Sequence, residues 1–214
     1  KKIRAEDNHR KKWLEDIGKK QIVFRGRGGT GKTVFMFHIA YKKSTQEEKR
    51  SLILTYNHAL ITELKRLRMI LQVGASDQGI KIDSLMSFMC KIWKKVFIDE
   101  KFSIFTYEKH LEDLVQFMKN NTDEFDACVL NLMTKFSGSF DFDHVFVDEG
   151  QDWSQSEVDI LRHIYGHKNI VVAHGVAQLT RDFHKGKSRE VSWQKGLPKD
   201  ENQQHILKRA LRMK

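Results

Sequence analysis

Short apolar β segments alternate with longer helical segments over residues 20–180, and this alternation most constrains the fold. The predicted strands are residues 21–25, 51–56, 80–82, 145–147 and 170–173. Helical spacing of apolar residues covers 32–43, 59–71, 85–97, 106–120, 124–136 and 156–165, with Asp83 or Ser84 as the cap of the third of these helices. Strands that alternate with helices favour a parallel sheet, so the pattern predicts an α/β fold with helices flanking that sheet.

One stretch interrupts the alternation. Residues 97–140 have little β character and predict a helical insertion, so we expect a discontinuous core formed by residues 1–96 and 141–214. The tail from 181 to 214 carries ten basic and four acidic residues and has no clear helical or strand pattern. Within that tail, residues 185–195 are predicted to form a loop.

The composition excludes several classes of protein. Fourteen Phe and four Trp residues supply enough bulk for a core, which argues against a disordered chain. No apolar run approaches the ~18 residues of a membrane span, and the N-terminus lacks the apolar region of a secretory signal. Two cysteines are too few for a disulfide framework or a Cys-rich zinc site. We therefore expect a cytoplasmic protein without a membrane partner.

The charge balance favours an anionic partner. A net charge of +10 on 214 residues suits nucleic acid first and an acidic membrane surface second, although a basic surface without a partner has the same composition. The sequence also opens without an initiator methionine. We therefore expect the chain to begin inside a longer polypeptide.

A glycine-rich segment follows the first predicted strand and opens the first helix. The sequence GRGGTGKT at 26–33 fits the pattern G-x-x-x-x-G-K-[ST] at every fixed position. Glycines let backbone N–H groups face phosphates closely, and a helix N-terminus adds a favourable dipole. Lys32 would supply a charge for the β- and γ-phosphates, and Thr33 a hydroxyl for Mg²⁺. The predicted nucleotide-binding residues of this loop are Gly26, Gly28, Gly29, Thr30, Gly31, Lys32 and Thr33.

An acidic segment follows the fourth predicted strand. The sequence HVFVDEGQD at 144–152 is an apolar run that ends in carboxylates. Because ligands bind at the carboxyl ends of parallel strands, these acids are expected to face the glycine-rich loop. Asp148 would hold Mg²⁺, and Glu149 would orient and deprotonate an attacking water. Together the two segments predict a P-loop NTPase.

The two motifs in this order resemble the Rep/UvrD-type superfamily 1 helicases, whose second motif is D-E-x-Q-D. The resemblance implies a first RecA-like motor domain that binds ATP and Mg²⁺, and it assigns Gln151 to nucleotide binding. Residues 171–178 are similar to the G-D-x-x-Q motif, with His174 and Gly175 in place of its glycine and aspartate, and this makes Gln178 a sensor of the γ-phosphate. Residues 207–212 resemble L-x-x-x-Y-R, which makes Arg212 a phosphate contact. The implied catalytic residues are Glu149, Lys32, Gln178 and Arg212.

Two further segments resemble the motifs of that family that contact single-stranded DNA. Residues 54–60, LTYNHAL, are similar to the first, and residues 82–85, IDSL, resemble the next. The resemblance makes Thr55, Tyr56, Asn57 and Ser84 candidate nucleic-acid contacts. An aromatic side chain after a strand suits stacking on a base. The residues alone leave open that Tyr56 packs at the strand end and that Asn57 caps the helix.

The resemblance implies an ATP-dependent motor on single-stranded DNA or RNA, with a second RecA-like half in a longer chain or in a partner subunit. With one half only, we expect the chain to bind ATP better than it hydrolyses it. A second hypothesis is an ATP-gated switch in a nuclease-linked or phage-defence complex without unwinding. A small-molecule P-loop kinase and a passive nucleic-acid binder fit the motifs less well.

Overall fold

The computed structural model describes residues 13–70, 79–98, 102–175 and 191–207 of the 214-residue chain. The strands are β1 (Gln21–Gly26), β2 (Ser51–Thr55), β3 (Ile80–Ser84), β4 (His144–Val147), β5 (Ile170–Gly175) and β6 (Asn202–Ile206). The helices are α1 (Lys32–Glu47), α2 (His58–Ile70), α3 (Leu85–Val96), α4 (Tyr107–Asn120), α5 (Thr122–Lys135), α6 (Ser137–Phe140) and α7 (Gln155–Tyr165). Short 3₁₀ turns link several of these elements.

The six strands form one sheet in the order β3-β2-β4-β5-β1-β6, and every neighbouring pair is parallel. The predicted α/β fold with a parallel sheet flanked by helices is therefore confirmed. Since all strands run the same way, their carboxyl ends lie at one edge of the sheet. β5 lies between β1, which precedes the glycine-rich loop, and β4, which precedes the acidic residues.

The sheet is buried on both faces, as a parallel sheet requires. Because successive side chains of a strand point to opposite faces, each strand contributes to two apolar clusters. Phe24, Ile53 and Phe146 belong to the cluster that includes residues of α1 and α2. Val23 and Val147 belong to the other cluster, which includes residues of α3, α4, α5 and α7. Almost every strand residue in the centre of the sheet is therefore shielded from water.

Side-chain caps fix where two helices begin. The Ser84 hydroxyl accepts a hydrogen bond from the backbone N–H of Ser87 at 3.2 Å, so Ser84 is the cap that the sequence left open between two residues. Ser154 and Glu157 form a capping box at the start of α7, in which the Glu157 carboxylate accepts from the Ser154 N–H at 2.7 Å. The second cap holds α7 directly after the acidic segment.

The predicted helical insertion lies between α3 and β4. Its described residues, 97–98 and 102–140, include α4, α5, α6 and a 3₁₀ turn, and contain no strand. Leu114 of α4 and Phe125 of α5 are fully buried and belong to the same cluster as Val147 of the sheet. These helices therefore cover one face of the sheet next to β4.

The tail contains one strand that the sequence pattern did not predict. Residues 202–206 form β6, an edge strand paired with β1, so that Gln203 lies beside Ile22. The sequence NQQHI has no apolar alternation, because an edge strand is bonded on one side and half exposed. Its position depends instead on backbone pairing and on the His205 ring, which lies 4.3 Å from that of Trp13. Residues 191–195, the described part of the predicted loop, contain neither helix nor strand.

None of the helices within the described ranges has both the length and the apolar character that crossing a membrane requires.

Truncation of Phe146, at the centre of β4, tests the packing of the sheet against α1. Its ring is fully buried, so Phe146→Ala should lower the free energy of unfolding by about 3–5 kcal/mol through lost burial and a cavity. Urea unfolding followed by circular dichroism measures this change. Leu130→Ala is the control, because Leu130 is 62% exposed on α5 and its loss should cost under about 0.5 kcal/mol. Equal losses in both variants would contradict the assigned core.

Candidate functional site

The topology of the sheet brings the glycine-rich loop and the acidic segment to one edge. The loop follows β1, the acids follow β4, and the end of β5 lies between them. Gly26 at the end of β1 lies beside Gly175 at the end of β5, and Val147 lies beside Val172 of β5. The two segments that are 115 residues apart in sequence, from Thr33 to Asp148, therefore meet above the carboxyl ends of the strands.

The loop between β1 and α1 is tight and depends on its glycines at two positions. Gly29 and Gly31 have φ angles of 74° and 79°, a left-handed conformation that glycine adopts without strain. A Cβ on Gly26 would lie 2.7 Å from the Thr30 hydroxyl oxygen and 3.0 Å from the Leu207 carbonyl oxygen. A Cβ on Gly29 would meet no atom within 4 Å. The loop is thus closely packed at its base and open at Gly29.

Lys32 is the first residue of α1, and its side chain turns back along the loop. Its Nζ donates hydrogen bonds to the carbonyl oxygens of Gly26 at 2.9 Å and Arg27 at 3.2 Å. The Thr30 hydroxyl also donates to the Arg27 carbonyl, at 2.9 Å. Lys32 is 5% exposed, so its charge is held inside the loop by uncharged partners.

Thr33, in the first turn of α1, connects that helix to the acidic segment. Its hydroxyl donates a hydrogen bond of 2.8 Å to Oδ1 of Asp148. The Thr55 hydroxyl, at the end of β2, donates to the other oxygen, Oδ2, over a longer distance of 3.5 Å. Asp148 itself is held at the sheet edge because its backbone N–H donates to the Leu54 carbonyl at 2.9 Å. Both carboxylate oxygens therefore have hydroxyl partners from neighbouring elements.

Burial dominates the electrostatics of Asp148. Its carboxyl group is almost completely buried, and this burial, with the nearby charge of Glu149, raises its pKa from 3.8 to about 6. The Thr33 hydrogen bond and the charge of Lys32 act in the opposite direction. A carboxylate that is costly to ionise in this place would be stabilised by a bound cation.

The turn after Asp148 is held in an unusual backbone conformation. Glu149 has a φ of 47°, which side-chain-bearing residues rarely adopt. Its carboxylate accepts a 2.6 Å hydrogen bond from the Gln151 amide nitrogen. The Gln151 amide oxygen accepts one from the Gly175 backbone N–H, also at 2.6 Å. Gln151 is thus engaged at both ends of its amide, between the acidic turn and β5.

Two tryptophans hold the carbonyl groups of this turn. The Trp153 indole N–H donates to the Asp148 carbonyl at 3.3 Å, and that of Trp193 donates to the Gly150 carbonyl at 2.7 Å. The rings pack edge to face with centroids 5.3 Å apart. Both rings are buried, and the sequence alone did not identify the role of Trp193. Nothing in the polar segment around Trp193 connects it to residues 40 positions earlier.

Arg162 of α7 holds the segment that carries Trp193. Its guanidinium donates to the Trp193 carbonyl, to the Lys195 carbonyl at 3.3 Å and to the Gln21 amide oxygen at 3.1 Å. Burial lowers the pKa of Arg162 from its usual value. The guanidinium therefore connects the start of β1, α7 and the Trp193 segment.

The predicted nucleic-acid residues have structural partners within the protein. Thr55 is fully buried against Asp148, and Ser84 is buried as the cap of α3. The Tyr56 ring packs edge to face on Trp153, and its hydroxyl donates to Glu157. The Asn57 side chain is exposed and caps α2 by accepting from the Leu60 N–H at 3.1 Å. Tyr56 therefore packs at the strand end and Asn57 caps the helix, which are the two roles that the sequence left open.

Two predicted residues, Gln178 and Arg212, lie outside the described residues. The described chain brings together the other predicted nucleotide and metal residues: the loop from Gly26 to Thr33, Asp148, Glu149 and Gln151.

The donor chemistry at the meeting point of the two segments fits Mg²⁺. The Thr33 hydroxyl and the Asp148 carboxylate are hard oxygen donors 2.8 Å apart. Mg²⁺ in nucleotide sites is held by one or two carboxylates together with substrate phosphates and water. No cluster of three or more His, Cys, Asp or Glu side chains suitable for a metal occurs among the described residues. A metal here would take its remaining ligands from bound phosphate and water.

Comparison with models of known protein families gives no match for this sequence. The search of curated proteins gives no match either.

The raised pKa of Asp148 predicts the direction of a pH effect on stability. Because the folded-state value of about 6 lies above the unfolded value of 3.8, ionised Asp148 opposes folding at pH 7, and this penalty disappears as the pH falls from 6 towards 4. Asp148→Asn keeps an acceptor for Thr33 and should raise the free energy of unfolding at pH 7 by roughly 1–3 kcal/mol. The gain should shrink at pH 4.5. Urea unfolding in metal-free buffer at both pH values measures it.

Asp113→Asn is the matched control, because Asp113 is exposed on α4. It should change the free energy of unfolding by under about 0.5 kcal/mol at either pH. An Asp148→Asn protein that is less stable than the wild type at pH 7 would contradict the assigned electrostatics.

Proposed function

We propose that this chain is a P-loop NTPase domain that binds ATP and Mg²⁺ and hydrolyses the γ-phosphate. The observation that carries the proposal is the 2.8 Å hydrogen bond between Thr33 and Asp148, which joins the two motifs at one edge of the sheet. A glycine-rich turn with a chance lysine has no reason to meet a buried acid that follows another strand. We also propose that the domain belongs to the RecA-like type of P-loop NTPase.

The loop residues would bind the phosphates. Lys32 is buried between the Gly26 and Arg27 carbonyls, and its ammonium would exchange these neutral partners for phosphate oxygens with little movement. The open space at Gly29 leaves room for a ligand close to the backbone. The first N–H groups of α1 point towards the same region and favour an anion.

Thr33 and Asp148 would hold Mg²⁺, which when bound neutralises the charge of the phosphate oxygens. The raised pKa of Asp148 fits this role, because a buried carboxyl group that is costly to ionise gains most from a cation. Because Asp148 is ionised at pH 8 and mostly protonated at pH 5, removal of Mg²⁺ should weaken nucleotide binding more at pH 8 than at pH 5, which calorimetry with and without Mg²⁺ measures.

Glu149 would act as the general base. It is half-exposed at the sheet edge, next to Asp148, and the Gln151 amide fixes its carboxylate at 2.6 Å. It would take a proton from the water whose oxygen forms the new bond to the γ-phosphorus, while the bond to the bridging oxygen breaks and ADP leaves. The protons and charges balance as ADP, phosphate and one released proton.

We extend the proposal to movement on single-stranded nucleic acid, supported by the net charge of +10 and by the resemblance of the motifs to superfamily 1 helicases. Movement of this kind would need a second RecA-like half, in a longer chain or in a partner. In this hypothesis, hydrolysis at the sheet edge would change how the two halves hold the strand.

A specific observation favours the second candidate, an ATP-gated switch without unwinding. All four residues predicted to grip nucleic acid, Thr55, Tyr56, Asn57 and Ser84, are engaged in hydrogen bonds within the protein. The helical stretch 97–140 carries eight acidic and four basic residues, hence a net charge of −4, and would repel a phosphate backbone. A nuclease subunit remains the partner that we propose for this alternative.

Removal of the Lys32 ammonium tests nucleotide binding directly. Lys32→Ala should weaken ATP binding by roughly 10- to 100-fold, because a charge-assisted hydrogen bond to phosphate is lost, and it should abolish turnover. Calorimetry with ATP and Mg²⁺ measures the first effect and phosphate release the second. Lys19→Ala, exposed at the opposite edge of the sheet, is the control and should match the wild type. Undiminished ATP binding by Lys32→Ala would end the proposal.

Single-stranded DNA distinguishes a motor from a switch. For a motor, a saturating oligonucleotide should raise the rate of ATP hydrolysis at least about 10-fold, since binding of the strand and hydrolysis are coupled by roughly 1.4 kcal/mol or more. For a switch, the rate should change less than about twofold. The measurement is phosphate release by the longer chain or complex that supplies the second half, with and without the oligonucleotide. It is made at low salt because phosphate contacts are salt-dependent. Single-stranded RNA of the same length shows whether the effect depends on the sugar.

A further inference from the structure

Gln151, which the resemblance assigns to nucleotide binding, is buried between the acidic turn and the end of β5. It is 3% exposed, and its amide makes two hydrogen bonds of 2.6 Å, one to Oε2 of Glu149 and one from the backbone N–H of Gly175. A longer contact of 3.5 Å joins its Nε2 to Oδ2 of Asp152. Both ends of the amide therefore have partners inside the protein.

The chemistry of the partners fixes the orientation of this amide. A backbone N–H is only a donor, so Oε1 must face Gly175. Nε2 is then left to donate to the Glu149 carboxylate. A flipped amide would place two donors together at Gly175 and two acceptors together at Glu149, and both contacts would be lost.

The Gln151 amide packs directly against the backbone of Gly175. A Cβ on Gly175 would lie between 2.8 and 3.1 Å from the nitrogen, carbon and oxygen of the Gln151 amide. A Cβ on Gly150 would lie 2.4 Å from Cγ1 of Val172. Two glycines thus let the acidic turn and the end of β5 approach closely, and a side chain at either position would require a neighbouring group to shift. The amide fills the space that the side chain of residue 175 would occupy.

We propose that Gln151 is a positioning residue for Glu149 rather than a nucleotide contact, and this inference rests on the proposed function. The chain of contacts runs from Gly175 through the Gln151 amide to the Glu149 carboxylate. Glu149 is half-exposed, so without the Gln151 amide its side chain would have other rotamers available at the sheet edge. The amide holds the carboxylate in one orientation and ties that orientation to β5.

This arrangement makes a prediction about which kinetic constant depends on Gln151. A residue that contacts the nucleotide contributes to its affinity, whereas a residue that orients the base contributes to the rate of the chemical step. Gln151→Met keeps the length of the side chain and removes both hydrogen bonds. The dissociation constant for ATP should stay within about threefold of the wild-type value, while the cleavage rate should fall roughly 10- to 100-fold, as expected for a misplaced catalytic group.

The rate is measured in single-turnover reactions with protein in excess over labelled ATP, which detects slow cleavage by this chain. Gln151→Glu is the second variant, since its carboxylate can still accept from Gly175 but cannot donate to Glu149. The matched control is Gln155→Met, because Gln155 is exposed on α7 and its amide donates a hydrogen bond to the Asp159 carboxylate. Circular dichroism confirms that each variant is folded.

A double variant separates positioning from a general structural effect. Glu149→Gln alone should lower the cleavage rate by roughly 10²- to 10⁴-fold, as loss of a general base does. If Gln151 acts through Glu149, adding Gln151→Met to Glu149→Gln should lower the rate less than about twofold further. Full multiplication of the two losses would overturn the inference, as would a loss of ATP affinity equal to the loss of rate.

The contact itself is tested without nucleotide by nuclear magnetic resonance of the side-chain amides. The Gln151 amide protons should exchange slowly with solvent in the wild type and at least about 10-fold faster in Glu149→Ala, since the acceptor is gone. The Gln155 amide serves as the exposed reference. Fast exchange of the Gln151 amide in the wild type would overturn the inference even if the chain does not cleave ATP. Failure of the wild type to bind ATP would instead refute the proposed function.

Discussion

The hydrogen bond between Thr33 and Asp148 is the contact on which the organisation of this site depends. It joins the first turn of α1 to the end of β4, across the width of the sheet that β5 occupies. On either side of it, a buried ammonium and a buried carboxylate are held by neutral groups: Lys32 by two carbonyls and Asp148 by two hydroxyls. Burial of two charges whose hydrogen-bond partners are neutral dipoles costs free energy. They gain free energy when each exchanges a neutral partner for an ion of opposite sign, which a nucleotide with its metal would supply.

The rigidity of the acidic turn follows from close contacts with β5 and with a distant segment of the chain. Gly150 and Gly175 allow the turn and the strand to touch, and Trp193 closes the turn from the other side. The strained conformation of Glu149 persists because these contacts determine it more strongly than its own preference. A site held in this way keeps its donors and acceptors in place before a ligand arrives, which lowers the cost of reorganisation during a reaction.

Much of the fold could be predicted from the sequence because most strands are short apolar runs and most helices carry apolar residues at helical spacing. The five predicted strands are apolar and lie within the sheet, and Ser84 began its helix as one of two expected caps. The meeting of the glycine-rich loop and the acids could be predicted because each comes directly after a strand of one parallel sheet, whereas the assignment of Gln151 came from the resemblance. β6 could not be predicted, since NQQHI pairs through its backbone and presents polar side chains. Trp193 and Gly175 could not be assigned either, because their roles depend on contacts between segments that nothing in the local sequence connects.

The contacts of Tyr56 bear on how this site would communicate with the rest of the molecule. Its hydroxyl and that of Tyr107 both donate to the same oxygen of Glu157, a fully buried carboxylate at the start of α7. Tyr56 directly follows Thr55, which contacts Asp148, and Tyr107 begins α4 in the stretch predicted as an insertion. A route from Asp148 to α4 therefore runs through hydrogen bonds at every step but one, the peptide bond between Thr55 and Tyr56. A coupling of this kind needs no nucleic acid at Tyr56, and it would serve a motor and a switch equally, since both must pass the state of the nucleotide to a second surface.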